Sequence, residues 1–206
     1  MKEFINKKVI LWDFDGVILD SMEVREMGFV KVLGNYPEEQ VKLLLKYHKE
    51  NGGLSRYVKF RYFMEEILYE PLDEKKVAAM ANQFSEIMRT SLGSRDQLIH
   101  EVINFIRSQF TEFDMHIVSG SDGEELRFLC DKLEISAHFK TIQGSPEPKI
   151  SLVNNILKQF KFEKSTVCLI GDSINDFDAA NQNKIDFYGY NNLELKLKGL
   201  NYINSF

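Results

Sequence analysis

Five short, apolar and β-prone segments, most of them separated by stretches with helical periodicity, constrain the fold of this chain more than any other feature. The segments cover residues 8–13, 114–119, 139–143, 166–171 and 185–190. Strands that are apolar along nearly their whole length are buried on both faces, and strands that alternate with helices pair in parallel. The sequence therefore predicts an α/β fold with a doubly wound parallel sheet.

The long interval between the first two segments has a different pattern. It shows helical periodicity and no convincing strand, with helix starts near Pro37, Ser55 and Asp73 and a break at residues 51–53. The last of these helices is expected to end at Gly93, and residues 96–109 to form the helix that returns to the sheet. The sequence thus predicts a helical insertion between two strands of the sheet.

The insertion sets the expected domain organisation. We expect a core domain formed by residues 1–21 and 93–206 and an inserted α-helical cap formed by residues 22–92. The cap leaves the core just after Asp13 and Asp15. Because a segment in that position can close over groups at the end of the first strand, we expect it to act as a lid.

Charge and hydropathy exclude two classes of partner. The chain has 26 Lys and Arg against 31 Asp and Glu, a net charge of -5, and no basic stretch of the kind that binds nucleic acid. No apolar run approaches the ~20 residues of a membrane-spanning helix. The first apolar run stops at Asp13, too early for a signal peptide, so we expect a cytoplasmic location. The sequence is compatible with both a monomer and a dimer.

Two pairs of aspartates lie where predicted strands end. Asp13 and Asp15 close the first segment, and residues two apart in an extended chain face the same way. Asp172 follows the fourth segment, with Asp176 on the same face of the next helix. Each pair alone is also compatible with a turn or an acid-rich helix N-terminus. If the four carboxylates meet at the carboxyl edge of the sheet, their repulsion requires a divalent cation, which favours metal-dependent phosphoryl transfer.

Two further strand ends carry polar groups. Ser119 ends the second segment, and Gly120 follows it before a helix expected near Glu124. This arrangement suits a phosphate, although Ser121 or Asp122 can also be interpreted as a simple N-cap. Lys149 follows the third segment and begins another helix. A surface lysine is the ordinary interpretation, but a site crowded with carboxylates and phosphate oxygens needs a fixed cation at that edge.

Taken in chain order, these residues resemble the four sequence motifs of the haloacid dehalogenase superfamily, in the helical-cap subclass of phosphoglycolate phosphatases and β-phosphoglucomutases. The motif positions are residues 13–17, Ser119, Lys149, residues 171–172 and Asp176. The resemblance spans nearly the whole chain and leaves no motif residue missing. It implies a Rossmann-like core with an α-helical cap inserted after the first motif.

The resemblance also implies catalytic roles. Asp13 would be the nucleophile that forms an aspartyl-phosphate, and Asp15 would be the general acid and base. Ser119 and the backbone amide of Gly120 would hold the phosphoryl oxygens. Lys149 would neutralise charge on the nucleophile and the phosphate.

A magnesium ion is the cofactor that the resemblance implies. The carboxylate of Asp13, the backbone carbonyl of Asp15 and the carboxylate of Asp172 would bind it, with Asp176 as a direct or water-mediated neighbour. Mg²⁺ prefers a few carboxylates together with water and phosphate oxygens. The implied function is a Mg²⁺-dependent phosphatase acting on a small phosphorylated metabolite.

The second aspartate bears on the type of chemistry. A dehalogenase hydrolyses an ester and needs no acid for an alkoxide leaving group, so Asp15 favours phosphate esters. A phosphonate-cleaving relative would need a cap lysine that forms a Schiff base. The cap lysines Lys31, Lys42, Lys46 and Lys59 lie in no recognisable context for that role.

The least generic part of the cap is residues 47–61, where two glycines break a helix pair beside cationic and polar groups. In similar caps this loop dips toward the active site, so His48, Arg56 and Lys59 are candidates for binding the polar end of the substrate. An anionic or polyhydroxylated phosphomonoester, such as a sugar phosphate, would suit them. Ordinary exposed helix residues around a Gly-Gly turn are the alternative.

Two other functions are compatible with the same sequence motifs. A phosphomutase of the same fold would carry the same motifs and pass the phosphoryl group to a second hydroxyl. A non-catalytic ligand-binding or regulatory protein would retain the fold alone, although converging carboxylates are costly without a metal.

Overall fold

The computed structural model describes residues 4–206, and its centre is a five-stranded sheet. All neighbouring strands pair in parallel, in the order β3-β2-β1-β4-β5. The strands are β1 (Val9–Trp12), β2 (Asp114–Asp122), β3 (Thr141–Ser145), β4 (Val167–Gly171) and β5 (Asp186–Gly189). The parallel α/β sheet expected from the sequence is confirmed.

Nine α-helices accompany the sheet within the described residues. They are α1 (Met22–Val32), α2 (Glu38–Glu50), α3 (Arg56–Tyr62), α4 (Glu74–Ser91), α5 (His100–Gln109), α6 (Gly123–Lys132), α7 (Lys149–Phe160), α8 (Ile174–Asn183) and α9 (Leu193–Leu197). A π-helical turn, Phe63–Ile67, extends α3. No helix in residues 4–206 has the length and apolar character needed to cross a membrane.

The central strand shows why helices cover both faces of the sheet. Ile10 and Trp12 belong to one buried cluster, which includes residues of α5 and α6, whereas Val9 and Leu11 belong to a second, which includes residues of α7 and α8. Successive side chains of a strand point to opposite faces, so an entirely apolar strand needs an apolar layer on each side. The doubly wound arrangement follows from this strand composition.

Helices α1 to α4 form the helical insertion between β1 and β2. Their apolar faces meet around aromatic side chains. The ring centroids of Phe29 and Phe84 are 4.6 Å apart, and those of Phe29 and Phe60 are 5.4 Å apart. These rings are almost fully buried. The packed interior of the insertion is therefore continuous with the apolar cluster on one face of the sheet, which also contains Ile10 and Trp12.

Several element boundaries differ from the sequence prediction, most clearly those of α5, β3 and β2. The helix that returns to the sheet begins at His100, after a short 3₁₀ turn at Arg95–Gln97, instead of at residue 96. Strand β3 is displaced by two residues. Strand β2 continues to Asp122 instead of ending at Ser119, because its pairing with β3 changes register between Val118 and Asp122. A bulge of this kind bends a strand without ending it.

Candidate active site

The polar residues singled out in the sequence meet at the carboxyl ends of the strands. Asp13 follows β1, Asp172 follows β4, Ser119 lies in the bulged end of β2, and Lys149 begins the helix after β3. A cavity of about 440 Å³ opens over this edge. It is lined by residues of the core and of the helical insertion, among them Asp13, Asp15, Ser119, Gly120, Asp172, His48, Arg56 and Lys59. Its size suits a small ligand.

Three carboxylates form a tight cluster on the floor of the site. Asp13, Asp172 and Asp176 each offer an oxygen, and these oxygens all lie within 4.8 Å of one another. Burial, together with the charge of Asp176, raises the pKa of Asp13 to about 7, although Lys149 opposes the change. Burial and the charge of Asp13 raise the pKa of Asp172 well above its ordinary value. The cluster is electrostatically unfavourable by itself.

Lys149 is the cation that partly compensates this cluster. Its Nζ lies 2.8 Å from Asp13 Oδ1 and donates a hydrogen bond to Asp176 Oδ1. Burial alone would lower the pKa of this ammonium group, but the charges of Asp13 and Asp176 outweigh burial and raise it. Lys149 is therefore a fixed positive charge, and one cation faces three carboxylates.

Asp176 differs from the other two carboxylates in its hydrogen bonds. Its Oδ2 accepts from the Ser173 backbone N–H at 3.0 Å and from the Ser173 hydroxyl at 2.6 Å, and its Oδ1 pairs with Lys149. Ser173 and Asp176 thereby form the capping box that begins α8. Asp176 positions Lys149 and the loop after β4, while Asp13 and Asp172 complete the oxygen cluster.

The donor set fits a hard divalent cation. Buried carboxylates are ionised only when a counter-charge compensates them, and an all-oxygen cluster of this size suits Mg²⁺. Gly16 explains how the loops come close enough to build the cluster. Its φ is +76°, and a Cβ at this position would lie 2.1 Å from Asp172 Oδ2. Glycine is thus required both by the backbone conformation and by the approach of Asp172.

Asp15 lies beside the cluster but is bound by a different set of groups. Its Oδ1 accepts from Ser21 Oγ and from Arg25 Nε, each at 2.5 Å, and its Oδ2 accepts from Ser121 Oγ at 2.5 Å. Burial raises the pKa of Asp15, but the charge of Arg25 and the two hydroxyl hydrogen bonds outweigh burial and lower it overall. In this arrangement Asp15 is an ionised carboxylate.

The contacts of Ser21, Arg25 and Ser121 with Asp15 were not predicted from the sequence. Ser21 and Arg25 are four residues apart at the start of α1, so they lie on one helix face. A hydroxyl and a guanidinium at that spacing, a few residues after an Asp-x-Asp sequence, were the only local signal. The contact of Ser121 with Asp15 spans 106 positions and has no local signature.

The bulged end of β2 brings Ser119 and Gly120 against the helical insertion. Ser119 is buried, and its Oγ accepts from the Ser121 backbone N–H at 3.1 Å. A Cβ at Gly120 would lie only 2.1 Å from the backbone carbonyl oxygen of Gly53. The side-chain amide of Asn175 also donates to the carbonyl of Gly52. The Gly-Gly loop is therefore packed directly on the core, over the site.

The structure brings His48, Arg56 and Lys59 to the cavity, and all three are buried. Arg56 forms an ion pair with Glu125 of α6 and donates to Ser85 Oγ at 2.7 Å. Its guanidinium also lies 4.5 Å from the ring centroid of Phe84. The alternative of ordinary exposed helix residues is thus wrong for these three side chains.

Lys59 and His48 form a buried amine–imidazole pair. The distance between Lys59 Nζ and His48 Nδ1 is 2.8 Å. Burial and the nearby charge of Arg25 lower the pKa of Lys59 to about 7, against the opposing effect of Asp15. Burial and the charge of Lys59 lower the pKa of His48 to about 3. The imidazole is therefore neutral.

Comparison with known proteins gives one family and a shared fold. Residues 10–190 match the family model described as haloacid dehalogenase-like hydrolase. No curated protein matches the chain. Among solved structures, a predicted phosphatase from Clostridium acetobutylicum is similar with a TM-score of 0.75 and 17% identity, covering 96% of this chain and 93% of its own.

Two further solved structures have the same fold. β-Phosphoglucomutase from Clostridium difficile has a TM-score of 0.75 at 18% identity, covering 97% of this chain and 91% of its own. A predicted phosphoglycolate phosphatase from Haemophilus somnus has a TM-score of 0.69 at 16% identity, covering 90% of this chain and 86% of its own. At such identities the likeness establishes the fold alone.

Proposed function

The chain belongs to the haloacid dehalogenase-like hydrolase family, and from that premise we propose that it is a Mg²⁺-dependent phosphatase of small phosphomonoesters. The single observation that carries the proposal is the cluster of Asp13, Asp172 and Asp176 beside Lys149, at the edge of a cavity of about 440 Å³. The repulsion between these buried carboxylates would be relieved by a bound cation, and the cation together with Lys149 could then stabilise a phosphoryl group in the site.

Asp13 is the proposed nucleophile. A carboxylate oxygen of Asp13 forms a bond to phosphorus while the bond between phosphorus and the alcohol oxygen breaks. Asp15 gives a proton to the departing oxygen. In the second half, Asp15 takes a proton from water, the water oxygen attacks phosphorus, and the bond to Asp13 breaks to release inorganic phosphate.

The surroundings of Asp15 support the second half of this scheme. Hydrogen bonds from Ser21, Arg25 and Ser121 hold it as a carboxylate, the form that accepts a proton from water. To protonate the departing oxygen in the first step, Asp15 must itself carry a proton. Because the charge of Arg25 lowers the pKa of Asp15, this step requires a longer distance between Asp15 and Arg25. The proposal thus assigns Arg25 control over the protonation state of Asp15.

Binding of the phosphoryl group is assigned to residues of β2 and α7. Ser119 Oγ and the Gly120 backbone N–H are the proposed donors to its oxygens, and Lys149 supplies a fixed positive charge. Asp13, the backbone carbonyl of Asp15 and Asp172 would hold Mg²⁺, whose charge lowers the cost of bringing phosphoryl oxygens to this carboxylate-rich edge. Asp176 would act through Lys149 or a water molecule.

We assign the lid role to residues 22–92 and the core to residues 1–21 and 93–206, of which residues 1–3 lie outside the described part of the chain. Support comes from the packing of α1, α3 and α4 around the rings of Phe29, Phe60 and Phe84, and from the close approach of Gly53 to Gly120. With the loop in that position, residues of the cap lie over the cavity, where a lid that closes during phosphoryl transfer would exclude water.

A phosphomutase is the second candidate, because the fold is equally similar to that of β-phosphoglucomutase. Incubation of the protein with Mg²⁺ and a panel of sugar phosphates and short-chain phosphomonoesters separates the two. Release of inorganic phosphate supports the phosphatase, whereas isomerised sugar phosphate without release supports the mutase. Neither product, together with no stabilisation by Mg²⁺, would favour a non-catalytic ligand-binding protein.

A further inference from the structure

The segment that follows β5 reaches both loops of the carboxylate cluster. Asn191 Nδ2 donates to the backbone carbonyl of Gly16 at 2.9 Å, and Asn192 Nδ2 donates to the backbone carbonyl of Asp172 at 2.7 Å. In the part of the chain that the structure describes, neither carbonyl accepts a hydrogen bond from a backbone N–H. Two adjacent side-chain amides therefore connect the loop after β1 with the loop after β4.

These two loops meet where the cluster is most tightly built. Asp172 Oδ2 lies only 2.1 Å from the point that a Cβ of Gly16 would occupy. The same carboxylate shares the oxygen cluster with Asp13 and Asp176. Because buried carboxylates repel one another when no cation is bound, the loops need bonds that hold them at this separation.

Each asparagine has a donor that its backbone position does not require. Asn192 is the N-cap of α9, and its Oδ1 accepts from the Glu194 backbone N–H at 3.1 Å. Serine, threonine or aspartate would provide the same acceptor, so the amide donor is a separate property. Asn191 has a φ of +54°, a left-handed conformation that glycine adopts more readily. Its side chain adds the bond to Gly16.

The segment that carries the two asparagines is itself anchored to the sheet. Leu195 of α9 is buried in one of the two apolar clusters. Further on, the Ile203 backbone N–H donates to the carbonyl of Gly189 at 2.8 Å, and the ring centroids of Phe206 and Trp12 are 5.5 Å apart. A segment that is fixed at several points can hold the two loops in place.

We propose that Asn191 and Asn192 are positioning residues that hold Gly16 and Asp172 at the separation a divalent cation requires, and that they thereby set the affinity for Mg²⁺. The inference rests on the proposed Mg²⁺ site and adds two residues outside the oxygen cluster. Removing a group that orients a metal ligand typically weakens metal binding about ten- to a hundredfold.

The test uses two variants that remove the amide and keep the local backbone. Asn192→Ser keeps an acceptor for the N-cap of α9, but its side chain is too short to donate to the Asp172 carbonyl. Asn191→Gly keeps the left-handed conformation. The matched controls, both at exposed positions, are Asp73→Ser, an N-cap exchange on α4, and Lys161→Gly, where φ is also +54°.

The measured quantity is the dissociation constant for Mg²⁺, obtained from the rise of Tm with Mg²⁺ concentration and from titration calorimetry. We expect Asn192→Ser to weaken Mg²⁺ binding about tenfold. Asn191→Gly should have a smaller effect, because Asn191 is exposed and water competes for its hydrogen bond. The variant with both changes should bind Mg²⁺ more weakly than either single variant, and the two controls should bind it like the wild type.

Activity provides a second measurement. With p-nitrophenyl phosphate, the Mg²⁺ concentration that gives half-maximal release of inorganic phosphate should rise by the same factor as the dissociation constant. Saturating Mg²⁺ should restore most of kcat, since the bound cation then holds the two loops together.

The inference and the proposed function fail in different ways. A wild type that binds Mg²⁺, together with Asn192→Ser and double variants of unchanged Mg²⁺ affinity, would overturn the positioning role and leave the phosphatase intact. A lower Tm in chelator with an unchanged dissociation constant would also overturn it, because that result describes a purely structural role. A wild type that does not bind Mg²⁺, with or without inorganic phosphate, would disprove the Mg²⁺ site and both proposals with it.

Discussion

Replacing Asp13 by asparagine is expected to stabilise the protein when no divalent cation is present. Burial and the charge of Asp176 raise the pKa of Asp13 from 3.8 to about 7. The folded protein therefore binds more protons than the unfolded chain between these pH values, and its free energy of unfolding falls as the pH rises toward 7. At pH 7.5 the ionised carboxylate costs roughly 4 kcal/mol, which the neutral amide would avoid.

That figure is a net value, because the attraction between Asp13 and Lys149 is already included in the pKa. For a chain of about 200 residues, each kcal/mol moves Tm by about 2–4 °C, so the upper limit for the gain is on the order of 10 °C. Mg²⁺ binding to the wild type should recover much of the same free energy, since it supplies the missing counter-charge.

The assay is thermal unfolding at pH 7.5, in a chelating agent and again in millimolar Mg²⁺, for the wild type, Asp13→Asn and the control Asp20→Asn. Asp20 is an exposed aspartate outside the cluster. We expect Asp13→Asn to be more stable than the wild type in chelator and to gain less from Mg²⁺, while Asp20→Asn follows the wild type in both. An Asp13→Asn variant that is less stable than the wild type in chelator, and that gains as much from Mg²⁺, would show that the Asp13 carboxylate is not a source of instability in the metal-free protein.

Three further predictions address the loop, the proton transfer and the cap. Gly120→Ala places a Cβ 2.1 Å from the Gly53 carbonyl oxygen, so we expect displacement of the loop and about a hundredfold loss of kcat/KM. Gly34→Ala is the control and is expected to keep the wild-type kcat/KM. A Gly120→Ala variant with wild-type kcat/KM would contradict this prediction. The leaving group of p-nitrophenyl phosphate needs no acid. Asp15→Asn should therefore release one equivalent of p-nitrophenol rapidly and then turn over about 10²–10⁴-fold more slowly than the wild type, because hydrolysis of the aspartyl-phosphate lacks its base. Loss of the initial burst as well would argue against a role of Asp15 as the base. Burial lowers the pKa of Lys59 to about 7, so above this pH the unfolded chain binds one proton more than the folded protein. The free energy of unfolding of the wild type, measured in urea, should therefore rise relative to that of Lys59→Met as the pH increases from 7 to 9. A difference that does not change with pH would contradict the lowered pKa.

The residues at the strand ends were accessible from the sequence because each belongs to a local pattern. Asp13, Asp172 and Lys149 stand directly after an apolar strand or at the first residue of a helix, and parallel pairing alone brings such ends to one edge. The helical insertion was visible for the same reason, since amphipathic periodicity over a long interval needs no tertiary information.

Side-chain pairing across the chain was not accessible in the same way. Glu125 lies 100 positions from Arg25 and 69 from Arg56, and nothing in the local sequence of α6 distinguishes a buried acid from an exposed one. The extension of β2 was hidden because it depends on a change of register against β3. Arg56 likewise forms an ion pair with Glu125 and is not free to bind substrate, because the cap packs on the core.

Release of inorganic phosphate from the panel of small phosphomonoesters tests the proposed activity most directly, measured for the wild type and for Asp13→Asn with Mg²⁺ and with a chelating agent. We expect catalytic release by the wild type with Mg²⁺, and none with chelator or with Asp13→Asn, although the variant is folded. Release by Asp13→Asn at the wild-type rate, or no release from any member of the panel by the Mg²⁺-loaded wild type, would disprove the proposed phosphatase mechanism.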